Sequence, residues 1–232
     1  MTFNRVPLVK ICSVRAVEHA VWAREAGANW IGMIFADAPR RIDLDAARAV
    51  RRELGDRVAI AESSKEAIER EATAAQQPLL VGVFARQTPD QIGRVLDQVD
   101  LDLVQLSGGE HPALAGRIPR PIIRAVHVSD DMTADRVLRE AARMPPTMTL
   151  LDAKSRQGGG TGQRVDWSVA AAVARQRPIV LAGGLSPGNV AEAIAEVKPW
   201  AVDVSSGVER DGVKDREQIR AFIRAAKGGV QA

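Results

Sequence analysis

Cysteine is almost missing from this 232-residue chain: Cys12 is the single one. An internal disulfide framework is therefore excluded, and the usage suits a reducing cytoplasm. Aromatic residues make up only 3%, and no basic block interleaves with them, which argues against a nucleic-acid surface. Lysine occurs six times against 26 arginines, and the net charge is only +3. The arginines are spread among acids, the pattern of a solvated surface that leaves small anions as partners. No apolar run approaches the roughly 20 residues of a membrane span. The opening "MTFNRVP" lacks the apolar core of a secretion signal. A soluble cytoplasmic protein is expected, long enough for one α/β barrel or two smaller domains.

What the chain does have is a recurring pair of patterns. Short Val/Ile/Leu runs appear at 8–12 (LVKIC), 30–35 (WIGMIF), 79–84 (LLVGVF), 103–107 (LVQLS), 122–128 (IIRAVHV), 149–153 (TLLDA), 178–184 (PIVLAGG) and 201–207 (AVDVSSG). Each is of strand length and largely apolar, as parallel strands covered on both faces are. Segments with helical spacing lie between them. Thr88-Pro89-Asp90-Gln91 offers an N-cap, a proline at N1 and a glutamine at N3. Ser186-Pro187 repeats the cap-then-proline pattern, and Asp215 precedes a helix whose Ile219, Phe222, Ile223 and Ala226 form one apolar stripe. Gly27 reads as a helix stop. Eight strands, each followed by a helix, predict a single-domain (β/α)8 TIM barrel over residues 1–232, with a doubly wound open sheet as the competitor. The connection at about 56–78 is unusually long. Ser63 and Glu66 fit a capping box there. The segment reads as a surface insertion, with a partner or dimer element as the alternative.

In such a barrel the chemistry gathers at the C-terminal ends of the strands. That rule places Cys12, Asp152 and Asp203 around one mouth. A lone cysteine is ordinarily buried filler, so this position is what makes Cys12 a candidate. Asp152 is free of capping duty, because Asp166 is the better cap for the next helix. Strand seven ends in Gly183-Gly184 and strand eight in Ser205-Ser206-Gly207, on the loops where this fold holds phosphate; plain tight turns are the bland alternative. The run GGGTG at 158–162 is either a mobile lid or an uncommitted loop. His19, His111 and His127 are scattered and make no metal-ligand cluster.

The motifs VKIC (9–12), VGVF (81–84), LLDAK (150–154), GGGTG with DWS (158–168), LAGGLSPGNV (181–190) and VDVSSGVE (202–209) resemble phosphoribosylanthranilate isomerase. The resemblance runs from about residue 8 to 227, apart from the 56–78 insertion. It implies an Amadori rearrangement in tryptophan biosynthesis, with Asp152 as general acid and Cys12 as general base. It also implies a carboxylate-holding arginine at Arg40, or else its neighbour Arg41, and substrate contacts from Gln105 and Asp203. Gly183, Gly184, Ser206 and Gly207 would hold the phosphate of a small phosphosugar. No metal or cofactor is implied, and the form is a monomer or homodimer. Two positions depart from the family pattern. Ser13 stands where glycine usually follows the cysteine, and Ser107 replaces a histidine that faces the active site. A histidine-pathway-type phosphoribosyl isomerase, which uses an aspartate where Cys12 stands, and a non-catalytic phosphosugar-binding barrel are the competing functions.

Overall fold

A computed structural model describes residues 6–57, 60, 65–74, 77–144, 148–153 and 165–228. The eight apolar runs become β1 (Leu8–Ile11), β2 (Trp30–Ile34), β3 (Leu79–Phe84), β4 (Leu103–Leu106), β5 (Ile122–Val128), β6 (Met148–Ala153), β7 (Ile179–Leu181) and β8 (Ala201–Val204). They close into one parallel barrel in sequence order, with β8 pairing back on β1. The open-sheet alternative is thereby set aside.

The helices are α1 (Val17–Ala26), α2 (Leu44–Leu54), α3 (Lys65–Ala74), α4 (Pro89–Val99), α5 (Ala134–Ala142), α6 (Trp167–Ala174), α7 (Val190–Val197) and α8 (Arg216–Gly228). Local chemistry explains their starts. Thr88 and Gln91 form the reciprocal capping box ahead of α4. Asp215 accepts from the Gln218 N–H at the head of α8, and Gly27 ends α1 with φ at 91°. Two expectations change. After β4 there is only a 3₁₀ turn at Pro112–Arg117. Ser186-Pro187 does not cap α7; it opens a preceding turn, in which the Asn189 and Val190 N–H groups donate to the Ser186 carbonyl. The proposed Ser63 cap lies outside the described residues, as does the 158–162 run.

Side chains alternate across each strand, so the barrel has two apolar layers. The outer one lies between strands and helices. The inner one joins Leu8, Val81, Leu103, Ile123, Leu150 and Val180 inside the barrel. The long connection contributes to that inner layer. Ile68 and Ala72 of α3 are buried with Trp30, Leu79 and Trp200, which stand at the N-terminal ends of their strands. The Trp30 and Trp200 rings lie 5.3 Å apart, and Asn29 Nδ2 donates to the Ala72 carbonyl. The connection is thus more than a surface insertion: one turn of α3 closes the barrel floor, opposite the mouth.

Candidate active site

Along β1, Leu8 and Lys10 point inward, and Cys12 continues the alternation at the mouth. Lys10 is completely buried. An ammonium ion there needs an opposite charge, and strand register supplies it: Lys10 pairs with Asp203 of β8. Lys10 Nζ donates to both Asp203 carboxylate oxygens at 3.1 Å, and its charge acts on the Cys12 sulfur. Gly32 on β2 makes the room. A Cβ there would sit 2.8 Å from Cys12 Sγ and 3.0 Å from Lys10 Nζ.

The electrostatics follow from this packing. Burial works against the Lys10 charge, but Asp203 and Cys12 outweigh it and hold its pKa above the ordinary value. Burial pushes the Cys12 thiol up; Lys10 and, more weakly, Lys214 pull it down, and Asp203 adds to the rise, so the net direction is upward. The resting sulfur is a thiol with cations already in place beside it.

Asp152 stands across the mouth on β6. Burial raises its carboxyl pKa, His127 opposes that, and Asp203 reinforces it. The result is a carboxyl that keeps its proton further toward neutrality, as a general acid must. His127 is the register partner of Asp152 on β5. Its Nε2 lies 2.8 Å from the Ser107 carbonyl, which can only accept, so that ring nitrogen carries the proton of this hydrogen bond. An imidazole therefore stands beside Ser107, the position at which the family resemblance leads one to expect a histidine. Gln105 is buried on β4; its Nε2 donates to Ser107 Oγ at 3.0 Å, while its Oε1 has no protein partner among the described residues.

The glycines sit between the acid and the loops. Gly183 and Gly184 adopt left-handed φ values of 82° and 64°, which favour glycine. A Cβ on Gly183 would lie 2.9 Å from the Ala153 nitrogen and 3.1 Å from Asp152 Oδ1. Among the described residues the Gly183 and Gly184 N–H groups donate to no backbone acceptor. Gly207 packs directly on the neighbouring loop, where a Cβ would come within 1.9 Å of the Leu185 carbonyl oxygen. Buried Asn189 ties the β7 loop together, accepting from the Ser186 N–H and donating to the Gly184 carbonyl. Ser13, φ 63°, explains why glycine suits the position after the cysteine. Its hydroxyl is held 2.6 Å from Ser205 Oγ, an anchor glycine lacks.

Arg40 is drawn to the mouth by Glu209. Its Nε donates to both Glu209 carboxylate oxygens at 3.1 Å, and its Nη2 to Oε2 at 2.9 Å. Arg41 is exposed and forms an isolated backbone bridge with Ile34.

The sequence model of the family described as N-(5'phosphoribosyl)anthranilate (PRA) isomerase matches residues 36–225. The chain belongs to the phosphoribosylanthranilate isomerase family. A family member from Roseiflexus castenholzii, N-(5'-phosphoribosyl)anthranilate isomerase, is 40% identical over 97% of this chain and 100% of its own length. Among solved structures, phosphoribosyl anthranilate isomerase from Thermotoga maritima superposes with a TM-score of 0.79 at 36% identity, covering 96% of this chain and 99% of its own. Another solved isomerase of the family, in complex with reduced 1-(o-carboxyphenylamino)-1-deoxyribulose 5-phosphate, gives 0.76 at 33% identity over 96% of this chain and 99% of its own.

Against this family the residue reading was incomplete in three places. Lys10 lies two positions before Cys12 in an otherwise apolar strand, which was signal enough to place a cation beside the sulfur. The β9–β10 hairpin (Glu209–Arg210 and Val213–Lys214) turns at Asp211-Gly212, both with positive φ, and Asp-Gly is a strong hairpin signal. His127 could not be joined to Asp152 without the β5–β6 register.

Proposed function

We propose that the protein isomerises N-(5'-phosphoribosyl)anthranilate to 1-(o-carboxyphenylamino)-1-deoxyribulose 5-phosphate, a cytoplasmic step of tryptophan biosynthesis. The observation that carries this is the pairing of a carboxyl of raised pKa, Asp152, with a sulfur flanked by Lys10 at the strand ends of one barrel. Asp152 gives its proton to the furanose ring oxygen. The bond from C1′ to that oxygen breaks, leaving an open-chain iminium ion. Cys12, its own proton lost to solvent, takes the proton from C2′. The freed electron pair forms the C1′–C2′ double bond and neutralises the iminium nitrogen. The enolamine then gains a proton at C1′ and loses the one on the C2′ hydroxyl, giving the ketone. Protons pass to and from Asp152, Cys12 and solvent, but substrate and product are isomers with no net change of oxidation state, so the balance calls for no external oxidant or reductant.

The order of these events follows from the charges. Burial disfavours the Cys12 thiolate at rest, and Lys10 and Lys214 oppose burial. Ring opening adds a third positive charge next to the sulfur, so thiolate is favoured in the step that needs it. Arg40 holds the anthranilate carboxylate, Asp203 and Gln105 face the ribose hydroxyls, and Gly183, Gly184, Ser206 and Gly207 hold the phosphate with backbone N–H groups. All of these residues lie on one chain, so the reading serves a monomer and a homodimer alike.

The test is loss of substrate fluorescence with freshly made phosphoribosylanthranilate. Wild type turns it over; Cys12→Ser and Asp152→Asn each lower kcat by about 10²–10⁴-fold while remaining folded. Near-normal turnover in both variants overturns the assignment.

A further inference from the structure

Glu209 is left without a duty in that mechanism, yet it is the most heavily paired carboxylate at the mouth. Besides the three Arg40 bonds it accepts from Lys214 Nζ at 2.8 Å. Its side chain is 5% exposed and that of Lys214 1%. Burial raises the Glu209 carboxyl pKa, but hydrogen bonds from Arg40 and Lys214 outweigh it and keep the group ionised. The three residues come from different places. Arg40 lies in the loop after β2, whereas Glu209 and Lys214 are cross-strand partners in the β9–β10 hairpin. That hairpin is itself pinned: Arg15 Nη2 donates to the Gly212 carbonyl, Lys214 Nζ to the Ser205 carbonyl, and the Asp215 N–H to the Val208 carbonyl.

The geometry of the fork gives this pairing a meaning. A guanidinium has a side-on edge, Nε with one Nη, and an end-on edge formed by the two Nη atoms. Glu209 occupies the side-on edge. Nη1 has no hydrogen-bond partner among the described residues, and Nη2 keeps a second N–H. Two cations share one anion, so a unit positive charge remains for a ligand. A carboxylate that merely competed with substrate would take the end-on edge or cancel the charge; Glu209 does neither.

We propose that Glu209 is the positioning residue that aims Arg40, and so sets the preference of the site for an arylamine bearing an ortho-carboxylate over one without it. The inference rests on the isomerase reading for the identity of that aryl group, but its mechanism is a matter of binding and is tested as such. The probes are the reduced aminoketose analogue, 1-(o-carboxyphenylamino)-1-deoxyribulose 5-phosphate after reduction, and the same compound made from aniline. Both are titrated by calorimetry into wild type, Glu209→Gln and Arg40→Met.

Wild type should prefer the carboxylated probe. Glu209→Gln, nearly the same shape, should weaken that probe about tenfold by loosening a charge-assisted fork and leave the aniline probe within about twofold. In turnover the variant should raise KM for phosphoribosylanthranilate by a similar factor with kcat little changed, and Glu209→Asp should recover part of the loss. Equal weakening of both probes shows a general structural role and overturns the proposal, as does no weakening of either. A wild type that binds with the stated preference but turns over no substrate overturns the isomerase reading and leaves the aiming role standing.

Discussion

Replacing Asp203 by asparagine keeps the shape of the Lys10 partner and removes its charge. At 3.1 Å and an effective dielectric constant near 20, the Coulomb attraction lost is about 5 kcal/mol. In the parent that attraction offsets the desolvation of a completely buried ammonium ion. Removing one partner of such a pair leaves the other unmatched and costs about 3–5 kcal/mol. For a chain of this size each kcal/mol lowers Tm by roughly 2–4 °C, so Asp203→Asn should melt about 6–20 °C below wild type. The same change withdraws a negative charge that holds the Cys12 thiol up, and turns the Lys10 ammonium toward the sulfur. The thiol should therefore titrate lower than in wild type, read as alkylation rate by iodoacetamide against pH. Replacing the pair together, Lys10→Met with Asp203→Leu, should recover much of the stability, because an apolar pair carries no desolvation cost, but should not restore turnover. Unchanged Tm together with an unmoved thiol titration in Asp203→Asn would refute this account of the barrel interior.

Three further outcomes follow from the same structure. Asp152 has a raised folded pKa, so its contribution to stability is present below the unfolded value near 4 and lost as pH rises through the folded one. Asp152→Asn should then be more stable than wild type at pH 7, by about 0.5–2 kcal/mol in urea unfolding, with no such gain at pH 3; kcat of the parent should fall as pH rises through the acid's pKa. Gly207→Ala puts a Cβ against the Leu185 carbonyl, so the two loops must part; KM should rise at least tenfold with a stability loss of about 1–3 kcal/mol, and an unchanged KM would remove Gly207 from the phosphate contacts. Ile68→Ala hollows the floor and should cost about 2–5 kcal/mol, while kcat and KM measured on the folded fraction stay as they were.

The barrel was legible because each strand is a short apolar run between helix signals, and closure follows from their number. The positions of Cys12, Asp152 and the Gly183-Gly184 pair followed from strand ends alone. What the sequence left hidden depends on register or on inward and outward facing. Lys10 counts as a surface charge until the alternation with Cys12 is applied. His127 is one of three scattered histidines until β5 is laid beside β6. The α3 segment looks solvated because its residues are mostly polar; among its described residues Ile68 and Ala72, one turn apart, join the inner cluster, and a two-residue stripe is too narrow to stand out from composition.

The closing of the floor by α3 separates two kinds of evolutionary pressure. The groups assigned to chemistry hang from the upper ends of the strands, whereas Ile68 and Ala72 of the long connection help the strand-end residues Trp30, Leu79 and Trp200 to seal the lower end. Substitutions at Ile68 and Ala72 are therefore expected to change stability while the mouth keeps its geometry. A lineage moving to a hotter or cooler habitat can therefore retune its barrel from below, with the catalytic rim left as it was inherited.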